Sequence, residues 1–403
     1  MKSIFVQIAS YRDPELVPTI KDCIAKAKYP ERLTFGVCWQ NSPDESEVED
    51  FLKSVPKLTY LNVPHFSSRG LCWARSLIQK MYKGEDYTLQ IDSHHRFVEG
   101  WDTELENMVE LTESPKPIIG SYCEQYYPLE PDKEVLKRPF HMVGKRFTPN
   151  GTIVFVPEVI PNFEKLTKPV RARFVSGHFF FTVGQHCEEY RYDPNIYFCG
   201  DEISLSVRSF TLGYDLFHPH KHLLWHEYSR KLRVKHWDDF VLENKKTGKI
   251  EKMWHEIDKE GYVRLRQMLR EEDNGLDLGE YDLGNVRSHK EYEDYAGINF
   301  ANRILHQNTI IGTEPPVNDS NEKWWNQVIK YNLQLNIPKP EGDFNFIYVG
   351  IEDISGKVLF RQDLKEYREK INAKFQSITK PIKYVVWRHD TNGEWKERND
   401  FVF

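Results

Sequence analysis

Asp92 and His94 stand either side of one serine, at the end of the run Tyr87-Thr-Leu-Gln-Ile-Asp92. In an extended segment, side chains two residues apart leave on the same face. A carboxylate and an imidazole on one face can share a divalent cation; the plainer alternative is an aspartate capping a turn beside surface histidines. A second centre is Gly200-Asp201-Glu202, where paired acids open a helix. Acids in a first helical turn are favoured by the helix dipole; the chemical alternative is an acid pair that holds hydroxyls or an acceptor group. His218, His220, His222 and His226 crowd one stretch, a composition that suits metal. His226, directly after Leu223-Leu-Trp225, is the best single ligand among them, and the others suit solvated or stacked roles. Arg69 and Arg75 bracket a glycine and a helix start, and guanidinium forks and helix N-termini both suit phosphate. Two solvated surface charges would look the same. Gly177 lies in Phe174-Val-Ser-Gly-His-Phe-Phe-Phe-Thr-Val-Gly184, as though backbone must approach a ligand there.

The elements that must position these residues alternate. Ile4–Ala9 reads as a strand, with the loop Ser10-Tyr-Arg-Asp-Pro-Glu15 after it. A helix follows from Leu16 to about Lys28, then a strand over Leu33–Trp39, a turn over Gln40–Asp44 and an acidic helix from about Glu45 to Lys53. Leu58–Val63 is a strand, and Gly70–Lys83 is an amphipathic helix that delivers the chain into the Tyr87 strand. This order predicts an α/β fold with a mostly parallel sheet covered by helices on both faces. Ligands in such sheets bind beyond strand C-termini, which is where Asp92 falls. Trp101–Leu111 is helical, and Lys116–Tyr122 is a further strand. Residues 124–170 form an insertion with a β element at Gly151–Val156, of the kind that shapes an acceptor site.

Residues 234–275 are charged and helical in pattern, with Trp237, Trp254 and Tyr262 placed either to cover the site or to pack against the tail. Pro338-Lys-Pro-Glu-Gly-Asp343 reads as a linker. Beyond it, strands at Phe344–Ile351, Lys357–Arg361 and Lys383–Trp387, with a helix near Asp363 to Phe375, predict a small α+β domain. The expected division is 1–337, with 235–337 as a helical extension, and 338–403 as an accessory domain. The tail's aromatics suit a core, with an acceptor-binding or homo-oligomer face as the alternative.

The 403 residues, 39% apolar and 29% charged, describe a globular chain rather than a disordered one. A net charge of −6 excludes a general polyanion binder and disfavours nucleic acid. The six cysteines show no C-x-x-C spacing, so free buried thiols in a reducing compartment are expected. The N-terminus reads as a first strand rather than a signal peptide, and no apolar run approaches the ~20 residues of a membrane span. The expectation is a soluble, cytoplasmic protein.

Taken in order, R-x-x-x-x-x-R around Gly70, D-S-H at Asp92, S-G-H-F-F-F at Ser176, C-G-D-E-I-S-L-S-V-R at Cys199, W-H-E-Y at Trp225 and the segment Arg287–Phe300 carry a resemblance. The chain resembles a GT-A (Rossmann-like) nucleotide-sugar transferase. It is most similar to the cytoplasmic polypeptide-hydroxyproline N-acetylglucosaminyltransferases, glycosyltransferase family 60. More distantly it resembles the mucin-type polypeptide N-acetylgalactosaminyltransferases. The resemblance covers roughly residues 3 to 305, and each motif alone is weak. It implies a UDP-sugar donor, an acceptor hydroxyl on a protein or glycan, and retention of configuration. It implies Mn2+ (or Mg2+) held by Asp92, His94 and His226. Arg69 and Arg75 would lie near the phosphates or sugar, and Ser10, Tyr11 and Arg12 near the uridine. Gly177, His178, Asp201 and Glu202 would line the sugar and acceptor sites. No nucleophilic carboxylate stands out, which leaves front-face attack and double displacement both open. A silent nucleotide-sugar-binding module, or transfer to a surface polymer or modified base, are the alternative functions.

Overall fold

The computed structural model describes residues 2–43, 45–130, 132–231, 233–317 and 324–403. Asp44 of the expected turn, Pro131 of the insertion and residues 318–323 of the expected helical extension lie outside the described residues. The chain divides into two compact units, Met1–Asn318 and Asp319–Phe403.

The first unit begins with β1 (Ile4–Tyr11), α1 (Leu16–Lys26), β2 (Leu33–Asn41), α2 (Ser46–Ser54), β3 (Leu58–Pro64), α3 (Leu71–Gln79) and β4 (Tyr87–Asp92). It continues through β5 (His95–Phe97), α4 (Trp101–Leu111), β6 (Pro117–Gly120), β7 (Glu124–Gln125), the hairpin β8 (Phe140–Phe147) and β9 (Ile153–Val159), and β10 (Val170–Arg171). Then come β11 (Phe179–Val183), α5 (His186–Glu189), α6 (Asp201–Thr211), β12 (Asp215–His218) and β13 (Leu224–His226). The expected elements as far as β4 are all present, with ends that differ by a few residues.

Eight strands form the main sheet in the order β10-β12-β6-β11-β4-β1-β2-β3. β1, β2, β3 and β4 are mutually parallel, whereas β11 runs antiparallel to both β4 and β6. The chain goes outward from β1 to β2 and β3, then returns through α3 to place β4 on the other side of β1. Strand order therefore reverses between β1 and β4, and the crevice beyond the carboxyl ends of these strands is where an open α/β sheet takes its ligand. Tyr87, Leu89 and Ile91 are buried together with Thr88 and Gln90, as expected for a strand covered on both faces. The polar members are anchored: the Gln90 side-chain nitrogen donates to the Gly177 carbonyl at 2.7 Å and Thr88 donates to the Phe5 carbonyl at 3.0 Å.

A second, three-stranded sheet, β5-β13-β7, stands at the end of β4. It pairs His226 with His95 in register. Residues 234–275 supply α7 (His236–Asp239), α8 (Leu242–Lys246) and α9 (Trp254–Met268). The start of this segment covers the site: His236 hydrogen-bonds Tyr197 at 2.9 Å and Asp239 accepts from Tyr11 at 2.8 Å. Leu265 of α9 fills the space under Gly200, where a Cβ would meet it at 2.4 Å. α10 (His289–Ala296) and the short pair β14 (Ile298–Asn299) and β15 (Ile304–Leu305) complete the unit.

The second unit corrects two expectations. It contains β16 (Ile329–Asn336), β17 (Phe346–Asp353), β18 (Val358–Leu364), β19 (Lys370–Ser377), β20 (Pro381–His389) and β21 (Trp395–Val402), all paired antiparallel. The expected helix at Asp363–Phe375 is instead the end of β18 and most of β19. Its charges mimic a helical pattern, but Ile371 and Ala373 alternate into the core with period two once β16 pairs alongside. The unit is therefore all-β rather than α+β. It also starts before Pro338, because β16 belongs to it through the full length of its pairing with β19. Leu335, Ile347, Val349, Ile351 and Val386 form its core.

A chain cut at Ile337 keeps β16 without its partner and exposes an unpaired strand. A chain cut at Val317 does not. The Val317 truncation should remain soluble with a single sharp melt, while the Ile337 truncation should aggregate on heating. Light scattering during a thermal ramp compares them, and equal behaviour would place the true boundary later.

Candidate active site

Asp92 ends β4, and the chain turns at once so that His94 comes back beside it. His226 arrives from the end of β13. His94 Nε2 lies 3.8 Å and His226 Nε2 3.5 Å from Asp92 Oδ2. The ligand-capable atoms of Asp92, His94 and His226 all fall within 4.8 Å of one another. His94 Nε2 and both ring nitrogens of His226 are buried with no hydrogen-bond partner among the described residues. Orphaned buried nitrogens are costly unless something binds them. A carboxylate and two imidazoles with free nitrogens, open on one side to a cleft, can hold a divalent transition-metal cation such as Mn2+.

Asp13, from the loop after β1, supports this set. Its Oδ2 accepts from His94 Nδ1 at 2.7 Å and from Ser93 Oγ at 2.7 Å. The Arg233 guanidinium also meets His94 Nδ1; with the proton on Nδ1 toward Asp13, the Nε2 lone pair faces Asp92, as a ligating histidine requires. Burial alone would raise the Asp13 carboxyl, but His94 and Arg233 outweigh it and hold it below the usual range. Asp92 behaves likewise: burial pushes it up, and the contacts with His226, Arg75 and His94 bring it well below the ordinary value.

Arg75 is the other organiser. Its guanidinium, 2% exposed, donates to Asp92 Oδ1 at 3.1 Å and grips Asp201 Oδ2 at its other end. Gly177 sits against this pair, where a Cβ would fall 1.8 Å from Asp201 Oδ2. The glycine is thus needed for Arg75 and Asp201 rather than for a ligand. Gly70, with φ +108°, serves a similar end: a Cβ there would collide with the Tyr197 ring at 2.5 Å.

A solvent-open cleft lies over the metal-ligand set. Asp92, His94 and His226 form its floor, with Asp13 and Ser93 beside them. Tyr11, Gln40, Tyr197, Phe198 and Trp237 line its walls, and Arg230, Arg233 and Lys235 add positive charge. The turn that presents Arg230 is fixed by the buried Glu227 carboxylate, which accepts from the Arg230 amide at 3.1 Å. A mixed aromatic and basic lining of this kind suits a nucleotide diphosphate.

The residues singled out in the sequence meet different fates. Asp92, His94, His226 and Tyr11 reach the cleft. Arg75 reaches it only through Asp92. Ser10 is buried beneath the floor, and Arg12 is committed to Asp239 at 2.9 Å. Arg69 is exposed and outside the cleft lining. Asp201 is buried against Arg75, and Glu202, half-buried behind it, does not line the cleft either. His178 lies behind His226, stacked on it at 4.3 Å and on Tyr122 at 5.3 Å. Of the other crowded histidines, His218 Nε2 donates to the Phe174 carbonyl at 2.9 Å and His222 packs edge-on against Trp225. The residues that sequence reasoning passed over are Asp13, Arg230, Arg233 and Lys235. Their one visible signal was a basic run directly after the W-H-E-Y motif.

An eight-stranded α/β sheet whose switch-point crevice holds a carboxylate–imidazole set under a basic, aromatic cleft defines a nucleotide-sugar-transferase architecture of the GT-A type. Residues 3–56 and 51–302 match the family described as "Glycosyltransferase (GlcNAc)", and the chain belongs to that family. No curated protein matches it. Among solved structures it is similar to GalNAc-T7 in complex with UDP, GalNAc and Mn2+, at 15% identity and a TM-score of 0.47, over 73% of this chain and 54% of that one. The chain thus spans about half the length of that relative. It is also similar to residues 1–349 of TarS from S. aureus, at 10% identity and a TM-score of 0.37, over 69% and 75% of the two chains.

Two predictions come from this geometry. Asp13→Asn weakens the orientation of His94, so Mn2+ affinity should fall about 10- to 100-fold without loss of fold. Electron paramagnetic resonance titration of free Mn2+ measures it, and unchanged affinity would remove Asp13 from the site. The second concerns Glu202, whose carboxyl is pushed up to about 7, first by burial and then by the neighbouring Asp201 charge. The folded chain then keeps a proton that the unfolded chain has released, so stability falls as pH rises from the ordinary value of 4.5 to about 7. Glu202→Gln should melt higher than the natural chain at about pH 8, with the gap narrowing toward about pH 5. Parallel melting curves at every pH would show that Glu202 does not titrate this way.

Proposed function

We propose that the protein transfers N-acetylglucosamine from UDP-N-acetylglucosamine to an acceptor hydroxyl, on a protein or a glycan, with retention of configuration and dependence on Mn2+. The observation that carries the reading is the pair of unpartnered imidazole nitrogens, from His94 and His226, meeting Asp92 at the floor of a basic cleft. Asp92, His94 and His226 would hold the cation, which when bound supplies Lewis-acid stabilisation of a departing diphosphate.

The chain's own residues divide the remaining work. Arg230 and Lys235, with Arg233, which also contacts Asp13 and His94, offset the diphosphate charge from one wall through charge-assisted hydrogen bonds. Tyr11, Tyr197 and Trp237 offer aromatic surface to a base or sugar ring. Arg75 acts through Asp92: it fixes one carboxylate oxygen at 3.1 Å and leaves Oδ2 facing the imidazoles. Asp201 positions Arg75 in turn. No carboxylate among the described cleft residues other than Asp13 and Asp92 is placed to form a glycosyl intermediate, and both are engaged. That favours front-face attack over double displacement. The six free cysteines, five of them buried, support an intracellular, reducing location for this reaction. Among the described residues no helix is long and apolar enough to cross a membrane.

Incubation with UDP-N-acetylglucosamine should release UDP only when Mn2+ is present, and Asp92→Asn should abolish that release. Release that ignores Mn2+, or none with any UDP-sugar, would overturn the proposal. Arg233→Ala should weaken UDP binding about 10- to 100-fold while leaving uridine binding nearly unchanged, since only UDP carries the phosphates. Calorimetric titration with both ligands makes the comparison. Equal losses for the two would mean that Arg233 shapes the cleft and does not bind phosphate.

A further inference from the structure

Behind the cleft floor lies a second group of ligand-type side chains. His95, Cys123 and His178 bring their ligand-capable atoms within 4.8 Å of one another. None lines the cleft, and their exposures are 0%, 6% and 8%. Both imidazoles are anchored by one nitrogen and free at the other. His95 Nδ1 is 3.1 Å from the Asp92 carbonyl, and His178 Nδ1 is 2.9 Å from Ser176 Oγ. The Nε2 atoms of both are buried with no hydrogen-bond partner among the described residues. A ligating histidine shows the same pattern, with one ring nitrogen held by a carbonyl or hydroxyl and the other on the metal.

The backbone under each ligand is held firmly. Thr19 Oγ1 accepts from the His95 amide at 2.9 Å and donates to its carbonyl at 3.2 Å. The Tyr228 hydroxyl accepts from the Cys123 amide at 3.3 Å and donates to its carbonyl at 3.0 Å. His178 directly precedes β11, and its carbonyl accepts from the Asp92 amide at 3.2 Å. Rigid supports of this kind pre-position ligands.

We infer that His95, Cys123 and His178 form a second metal site that holds Zn2+ as a permanent brace behind the cleft. The donor sets separate the two sites. The front one offers a carboxylate and faces solvent, which suits Mn2+. The rear one offers a thiol and two imidazoles in a sealed pocket, which suits zinc or another thiophilic ion. Zinc would take the thiolate, and the proton leaves to solvent as the ion binds. The brace bears on the front site through His226, whose ring lies 4.8 Å from His95 and 4.3 Å from His178. The inference does not depend on which sugar is transferred, and its failure would leave Mn2+ binding at the front site untouched.

The full chain is dialysed against EDTA, and its metal is counted by elemental mass spectrometry. The expected result is about one zinc per chain that resists the chelator. Asp92→Asn should keep that zinc, and Cys123→Ala should lower it at least about tenfold. Reconstitution of the natural chain with Co2+ should give the intense near-ultraviolet absorption of thiolate-to-cobalt charge transfer, a readout that needs no variant to fold. Chelator-resistant zinc absent from the natural chain, zinc lost with Asp92→Asn but kept in Cys123→Ala, or a Co2+ form without the thiolate band would each overturn the inference.

Discussion

The buried guanidinium of Arg75 is the interaction on which the rest of the site depends. It stands on α3 and binds a carboxylate from β4 on one side and a carboxylate from the first turn of α6 on the other. A charge at 2% exposure can be tolerated only if it is paired and hydrogen-bonded. Breaking such an arrangement from one side leaves an uncompensated buried charge, at a cost of about 3–5 kcal/mol. Three consequences follow from that constraint. Gly177 must lack a side chain, α6 must begin at Gly200 so that Asp201 faces inward, and Asp92 must show its second oxygen to the imidazoles. Motifs far apart in the chain are thereby bound to one geometry.

Around this centre the histidines are sorted by what each second nitrogen touches. His94 Nδ1 is hydrogen-bonded to Asp13, and His95 Nδ1 donates to the Asp92 carbonyl. The two are neighbours in sequence, yet one faces the cleft and the other faces the interior, because the chain enters β5 between them and successive side chains of a strand leave on opposite faces. His226 stands between the groups, with ring contacts to His94, His95 and His178. Burial holds His95, His178 and His226 far below the ordinary imidazole range, so these rings are neutral, which is the protonation state a metal ligand needs. Positive charge in the cleft comes instead from the Arg230–Lys235 wall.

Much of this molecule could be read from the chain alone. Local hydrophobic period and turn residues located β1 to β4 with the helices between them, since each strand is apolar and each helix shows one apolar face. D-x-H at a strand end pointed to Asp92 and His94, although the turn after β4, and not a shared strand face, is what brings their side chains together. The position of His226 after an apolar run also proved informative, as it ends a buried strand.

What the tertiary structure alone decided is partnership across the chain. Sequence spacing cannot say that Arg12 would be taken by Asp239 or that Arg75 would meet Asp92 and Asp201, because those contacts join residues far apart in the chain, on β4, α3, α6, α7 and the loop after β1, that only the folded arrangement brings together. Asp13 lay inside a loop already noted for its neighbours, but its role exists only once the D-x-H strand lies next to it. The tail shows the same limit at the level of secondary structure. The charges in Asp363–Phe375 permit a helix, and only pairing with β16 selects the strand. Period along the chain is a local property set by backbone geometry. The pairing of buried charges and of strands is not local, and it is settled by which groups must leave water together.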